Sequence, residues 1–269
     1  MQTPDQQQRL AALRNVIADI ERKPALAEAG VGAQSPAEDS FPIFSGGLVQ
    51  EVFTDAARNG GASLAFALGQ GLSLLSERRP ALLYLQLAAD SQFFGVPYGP
   101  GLFGLGLDPS RLVLVRAQTM AEMLWAAEEA LVSRVVAGVV AEIGGITEPL
   151  DFTASRRLSL RAAEAGTSLF LLRYGTGRQA SAAHLRWHLV PATSGSPAFD
   201  PKAPGAARWR LRLERGVTLK RQGEWHLEWT KNGFATLSHQ SPRAAPQGSA
   251  ETLSGSRPAL LGDRLSQTA

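Results

Sequence analysis

Cysteine is absent from all 269 residues. That excludes disulfides and thiolate metal sites, and it fits a reducing compartment. Lysine is nearly absent as well: of 27 basic side chains only Lys23, Lys202, Lys220 and Lys231 are lysines, and the rest are arginines. There are four histidines and no G-x-S-x-G elbow, so hydrolytic nucleophile chemistry has no visible home. No stretch approaches the roughly 18 uninterrupted apolar residues of a membrane span. The opening MQTPDQQQRLAALRN is polar and lacks the apolar core of a secretion signal. The expected location is the cytoplasm, with no membrane partner.

What is present suits a globular body. Hydrophobic residues make up 44% of the chain, enough for a real core, and the length has room for one large domain with a small appendage. The net charge of +3 hides an asymmetry. Residues 1–150 carry 10 Lys+Arg against 16 Asp+Glu, whereas residues 151–269 carry 17 against 8. A basic half points to nucleic acid or to an acidic partner.

The chain divides into a helix at 1–24, a linker at 25–44, a main domain at 45–238 and a tail at 239–269. Thr3, Pro4 and Gln6 start the first helix, in which Leu10, Leu13, Ile17 and Ile20 form a narrow apolar seam. Lys23-Pro24 stops it. From Leu48 to Arg173, five continuous apolar runs alternate with helical patterns: LVQEVF, ALLYLQL, RLVLVRA, VVAGVVAEI and TSLFLLR. Such runs predict strands covered on both faces, and the alternation predicts a mostly parallel sheet with helices on both sides. The expected helices are Ala62–Ser76, a segment opened by a Thr119/Glu122 capping box, and Thr153–Ala165 stopped by Gly166. After Arg173 the period changes. HLRWHLV, ARWRLRLE and EWHLEWT read as antiparallel strands with one buried and one wet face, the wet face holding Arg186, His188, Arg208, Arg210, Arg212, Glu224, His226 and Glu228. Residues 239–269, rich in Ser, Pro, Gly and Ala, read as a disordered tail whose Leu260, Leu261 and Leu265 share one face if they fold on binding.

Several motifs carry weaker chemistry than they first suggest. GPGLFG (99–104) matches G-x-G-x-x-G, but a strand expected by Leu112 leaves no room for the helix on which a pyrophosphate would rest. His184 and His188 stand four apart, yet Leu185 replaces the glutamate of a zinc-protease motif and the segment reads as a strand. Arg208, Arg210 and Arg212 form a comb that can either track a phosphate backbone or be neutralised by Glu224, His226 and Glu228 across a hairpin. The loop YGTGRQASAA (174–183) carries Arg178 and is either a nucleic-acid contact or a long surface turn.

The informative stretch is FTDAARNGGASLAF (53–66), between the first strand and an apolar helix. A phosphate-binding loop there needs a lysine on the β- and γ-phosphates and a hydroxyl on Mg²⁺. In register, Thr54 and Asp55 replace the leading glycine and its neighbour, and Asn59-Gly60 falls near the second glycine. Gly61 stands where the lysine belongs and Ala62 where the hydroxyl belongs. Asp55 adds a charge that repels phosphate. This is a cradle without its chemistry, so no cofactor, no metal and no catalysis are expected.

At this point the chain resembles the ImuA family, RecA/SulA-related proteins of bacterial DNA-damage mutagenesis cassettes, over most of residues 1–240. The resemblance runs through QEVFTDAA (50–57), PYGPGLFGLGLDPSRLVLVRA (97–117), LWAAEEALVS (124–133), VVAEI (139–143) and LDFTASRRLSLRAAEAG (150–166). It continues through SAAHLRWHLVPA (181–192), ARWRLRLERG (207–216) and GEWHLEWT (223–230). It implies a RecA-like core without a working Walker site, acting in the SOS response and translesion synthesis. The implied partners are an ImuB-type Y-family-like protein and an error-prone DnaE-type polymerase, with RecA, single-stranded DNA and a homo-oligomer as further candidates. It also implies that Glu142 takes the place of the second nucleotide motif's carboxylate. By position it aligns the 174–183 loop with a DNA-contacting loop and the first helix with a neighbour-docking element. A working ATP-binding or DNA-binding module is the alternative.

Overall fold

In the computed structural model the described residues are 41–237, apart from 43, 146–147, 196, 198–199, 201–202 and 217–222. The seam Leu10, Leu13, Ile17 and Ile20, almost all of the linker, and the tail leucines Leu260, Leu261 and Leu265 lie outside them. The first strand is β1 (Val49–Thr54), followed by a 3-10 turn at Ala57–Asn59 and helix α1 (Gly60–Leu72). Next come β2 (Ala81–Leu87), two short helices α2 (Ser91–Phe94) and α3 (Gly99–Gly104), and β3 (Leu112–Ala117). Helix α4 (Met120–Val132), β4 (Val136–Ile143), helix α5 (Phe152–Ala165) and β5 (Ser168–Tyr174) complete the alternating part. The remaining strands are β6 (Leu185–Ala192), β7 (Arg208–Arg215), β8 (Glu224–Thr230) and β9 (Gly233–Thr236).

The nine strands of the described residues form one sheet in the order β3-β2-β4-β5-β1-β6-β7-β8-β9. Pairing is parallel from β3 through to β6 and antiparallel from β6 to β9. The α/β class with an antiparallel C-terminal extension is therefore as expected. One strand departs from its expected neighbourhood: β6 pairs in parallel with β1 on one side and antiparallel with β7 on the other. Its N-terminal end is consequently covered on both faces, and Arg186 is buried rather than wet. β3 deviates in the other direction. It is an edge strand, and Val113 and Leu114 are exposed despite their apolar run.

Alternation along the strands splits the core into two clusters, one on each face. On one face, Val52, Tyr84, Val140 and Phe170 pack with Phe66 and Leu68 of α1 and with Trp187, Trp209 and Leu211. On the other, Val49, Val139, Ala141 and Leu171 pack against Met123, Ala127 and Leu131 of α4 and Leu158 and Ala162 of α5. Helix starts and stops follow local chemistry. Thr119 accepts the Glu122 amide at 3.2 Å, and Asp151 accepts the Ala154 amide at 2.7 Å, which starts α5 one residue earlier than the pattern suggested. Gly166 ends α5 at φ +67, a left-handed conformation that favours glycine.

The antiparallel extension buttresses α1. Trp209 Nε1 donates to the Ala62 carbonyl at 3.0 Å, and a Cβ on Gly69 would lie 2.8 Å from both Phe234 and Trp229. Trp229 Nε1 donates to the Leu105 carbonyl at 3.1 Å, tying the hairpin to the segment that holds α2 and α3. Burying such large rings supplies much of the packing energy on this face and fixes where α1 begins.

Candidate functional site

Open parallel sheets bind ligands beyond the carboxyl ends of their strands. Here those ends belong to β1, β2, β4 and β5, and they surround the N-terminus of α1. The turn after β1 is held by its own side chains: Asn59 Nδ2 donates to Thr54 Oγ1 at 3.1 Å, and the Asn59 amide donates to the Ala56 carbonyl at 2.9 Å. Asp55 turns outward and meets His188 Nε2 at 2.9 Å. The helix begins at Gly60, two residues before its expected start, because Gly60 and Gly61 are themselves helical.

Glu142 ends the central strand β4 and is 2% exposed. Three neutral donors reach its carboxylate: the Tyr84 hydroxyl, the Tyr174 hydroxyl and Gln86 Nε2, the last at 3.2 Å. Burial pushes both phenols well above the ordinary tyrosine value, and the charge on Glu142 pushes the same way. The two tyrosines are therefore fixed as donors. A Cβ on Gly60 would lie 3.0 Å from the Tyr174 hydroxyl and 3.5 Å from Glu142 Oε1, so the carboxylate sits against the start of α1. Negative charge is favoured there by the helix dipole. A side chain at 60 would press on the Tyr174 hydroxyl, which would have to give by a few tenths of an ångström; Gly61 is different, since a Cβ there meets nothing within 4 Å. Room for a lysine exists at 61, and the residue does not.

Gly60, Gly61, Tyr84 and Glu142 border a cleft of about 980 Å³. Tyr84 and Glu142 lie on one side and Phe93, Tyr98 and Phe103 on another, with Arg58 and Lys231 also lining it. Phe93, Tyr98 and Phe103 are 71%, 73% and 75% exposed, unusually high for large rings. GPGLFG forms α3 in this wall. The space before Leu112 thus does contain a helix, but it is made of the glycine motif itself, which is not the strand–turn–helix geometry a pyrophosphate needs.

No protein-family model matches the chain. It is 35% identical over 184 residues to Protein ImuA of Caulobacter vibrioides strain NA1000 / CB15N, a match spanning 65% of this chain and 70% of that protein. The same figures hold for Protein ImuA of strain ATCC 19089 / CIP 103742 / CB 15. The chain belongs to the ImuA family.

This ImuA-family chain keeps the mostly parallel α/β sheet of a RecA-like core, and its sheet brings some of the expected site residues together while scattering others. Gly60 and Gly61 line the cleft, Thr54 and Asn59 hold the turn before them, Ala62 follows in α1, and Asp55 faces away toward His188. The arginines singled out for DNA lie elsewhere and each has a partner. Arg178 Nε and Nη2 bind Glu214 at 2.8 and 3.1 Å, and its guanidinium lies 4.0 Å above the Phe53 ring. Arg208 binds Glu228 at 2.7 Å, Arg210 approaches Glu224 at 3.5 Å, and Arg212 approaches Glu214 on its own strand at 3.6 Å. His184 lies just before β6, where its Nδ1 accepts the Val49 amide at 2.9 Å. Among the described residues no cluster of three His, Cys, Asp or Glu is placed to hold a metal ion, and no helix is long and apolar enough to cross a membrane.

Residue patterning missed Tyr84, Tyr174, Gln86 and the aromatic wall. Tyr84 and Gln86 sat inside an apolar strand run, and only alternation along that strand, carrying both toward Glu142, would have signalled them.

Proposed function

We propose that this chain is a non-catalytic accessory protein of damage-induced translesion DNA synthesis. In this reading it works in the cytoplasm through contacts with an ImuB-type Y-family-like protein and an error-prone DnaE-type polymerase. The supporting observation is the first turn of α1, where Gly61 and Ala62 stand in place of the phosphate-binding lysine and the metal-binding hydroxyl. Without that cation, a triphosphate would meet the buried Glu142 carboxylate at the mouth of α1, with repulsion where attraction is needed. A RecA-like body stripped of phosphate chemistry still offers a rigid scaffold for docking. A DNA-binding reading draws on the basic C-terminal half, but pairing of Arg178, Arg208, Arg210 and Arg212 with carboxylates weakens it.

Equilibrium binding of a fluorescent ATP analogue tests the first half. No saturable, Mg²⁺-dependent binding in the micromolar range is expected, and finding it would restore the ATPase reading. Co-purification of the tagged full chain with its ImuB-type partner tests the second half, and failure to co-purify would remove the contact role.

A further inference from the structure

Glu142 is a buried carboxylate with no cation paired to it among the described residues, and it borders an open cleft. A carboxylate offers about four lone-pair positions. Two phenols and one amide occupy three, so acceptor capacity remains. Gln86 Oε1, next to it on β2, is also buried and has no hydrogen-bond partner. Glu142, at the cleft, thus keeps acceptor capacity, while the wall presents exposed rings at Phe93, Tyr98 and Phe103. Aromatic faces and a desolvated carboxylate together suit a guanidinium or ammonium group on an apolar stem.

We infer that this cleft is a docking pocket for a peptide segment of a protein partner, taking one arginine or lysine side chain toward Glu142 and its apolar neighbours onto the Phe93/Tyr98/Phe103 wall. Arg58 and Lys231 also line the cleft, both exposed and neither paired with Glu142, and they disfavour a strongly basic segment. The matching peptide therefore carries a single central cation with acidic residues outside it. The helix end that would hold a phosphate is taken by the protein's own carboxylate, and it is that carboxylate's spare acceptor capacity that a cationic guest would use.

The inference rests on the reading that the chain acts by protein contacts, and its test separates the two. The probe is a fluorescein-labelled pentapeptide with arginine at its centre, leucine on either side and glutamate at both ends, followed by anisotropy against the full chain. Its twin has glutamine at the centre. The arginine peptide is expected to bind about tenfold or more tighter than its twin, and Glu142→Gln to erase that preference. Tyr98→Ser with Phe103→Ser, at exposed positions that folding does not need, is expected to weaken both peptides by a similar factor. Equal binding of the two peptides, an unchanged preference in Glu142→Gln, no saturable binding to the wild type, or displacement by ATP would each overturn the inference. If co-purification with the ImuB-type protein persists in the Tyr98/Phe103 variant while the peptides fail, the contact reading stands and only the pocket falls.

Discussion

Two carboxylates, Glu51 on β1 and Glu142 on β4, are 1% and 2% exposed and lie two strands apart in one sheet, yet they are stabilised in opposite ways. Glu51 shares the α4/α5 face with Val49, whereas alternation places Glu142 with Val140 on the α1 face. Around Glu51 the donors are cations: Arg186 Nε at 2.8 Å on Oε2, with Arg173 Nη1 4.0 Å from Oε1. Ser181 Oγ adds a bond at 2.9 Å. Burial pulls the Arg173 guanidinium below its ordinary value and the Glu51 charge opposes that pull. Around Glu142 the donors are neutral and a cleft lies alongside. The first arrangement is closed: two buried guanidiniums share one buried carboxylate. The second has donors and a helix end but no cation beside its carboxylate among the described residues, which is why it is read as a site and the first as structure.

The largest effect should come from opening the closed cluster. Glu51→Gln strands Arg173 and Arg186 in the interior with no counter-charge, and a loss of about 3–5 kcal/mol in unfolding free energy is expected. Urea denaturation followed by tryptophan fluorescence measures it. A loss no greater than that of the matching Glu142 variant would erase the distinction between the clusters.

Glu142→Gln should cost far less, about 1–2 kcal/mol, because neutral donors lose one good acceptor and no buried cation is abandoned. Near-ultraviolet circular dichroism of the variant should keep the wild-type shape. Collapse of that signal would mean Glu142 is chiefly a folding element, and the cleft would lose its claim to be a site.

The contrast between the two clusters marks how far residue patterning reaches. The five parallel strands were legible because continuous apolar runs such as ALLYLQL have few other readings, and Gly166 and the Thr119/Glu122 pair announced helix ends. That residues 60–62 are glycine, glycine and alanine, with no lysine or hydroxyl among them, is read directly from the sequence. Arg186 was misjudged because a two-residue period gives only a side, and which side is covered depends on β6 pairing with β1 across a long separation. The Glu51 cluster likewise joins residues from β1, β5, β6 and the 174–183 loop, a convergence no local window contains. Val113 and Leu114 failed in reverse: the β3 run is apolar, but the strand is an edge.

The smallest expected effect concerns Glu214, which stands between the two extremes: an ion pair at a half-open position. Its hydrogen bond from Arg178 holds the carboxyl below the usual glutamate value of 4.5, with burial opposing and the Arg178 charge assisting. Because the folded value is depressed, the unfolded chain binds the proton first as pH falls. The contribution is therefore complete above about pH 4.5 and drains away as pH drops through the folded value. Its side chain is 20% exposed and that of Arg178 22%, so solvent screening keeps the pair's worth under about 1 kcal/mol. Glu214→Gln should lower stability slightly at neutral pH and flatten the acid limb of the stability–pH curve, so that variant and wild type converge once pH falls below the folded value. Hydrogen exchange of the 175–183 amides should quicken in the same variant, because Arg178 also holds the Gly175 carbonyl at 2.8 Å and loses its anchor. Parallel curves through the acid range would show that this loop is fastened by the stacking of Arg178 on Phe53 instead, and that charge pairing matters only where, as around Glu51, water is shut out.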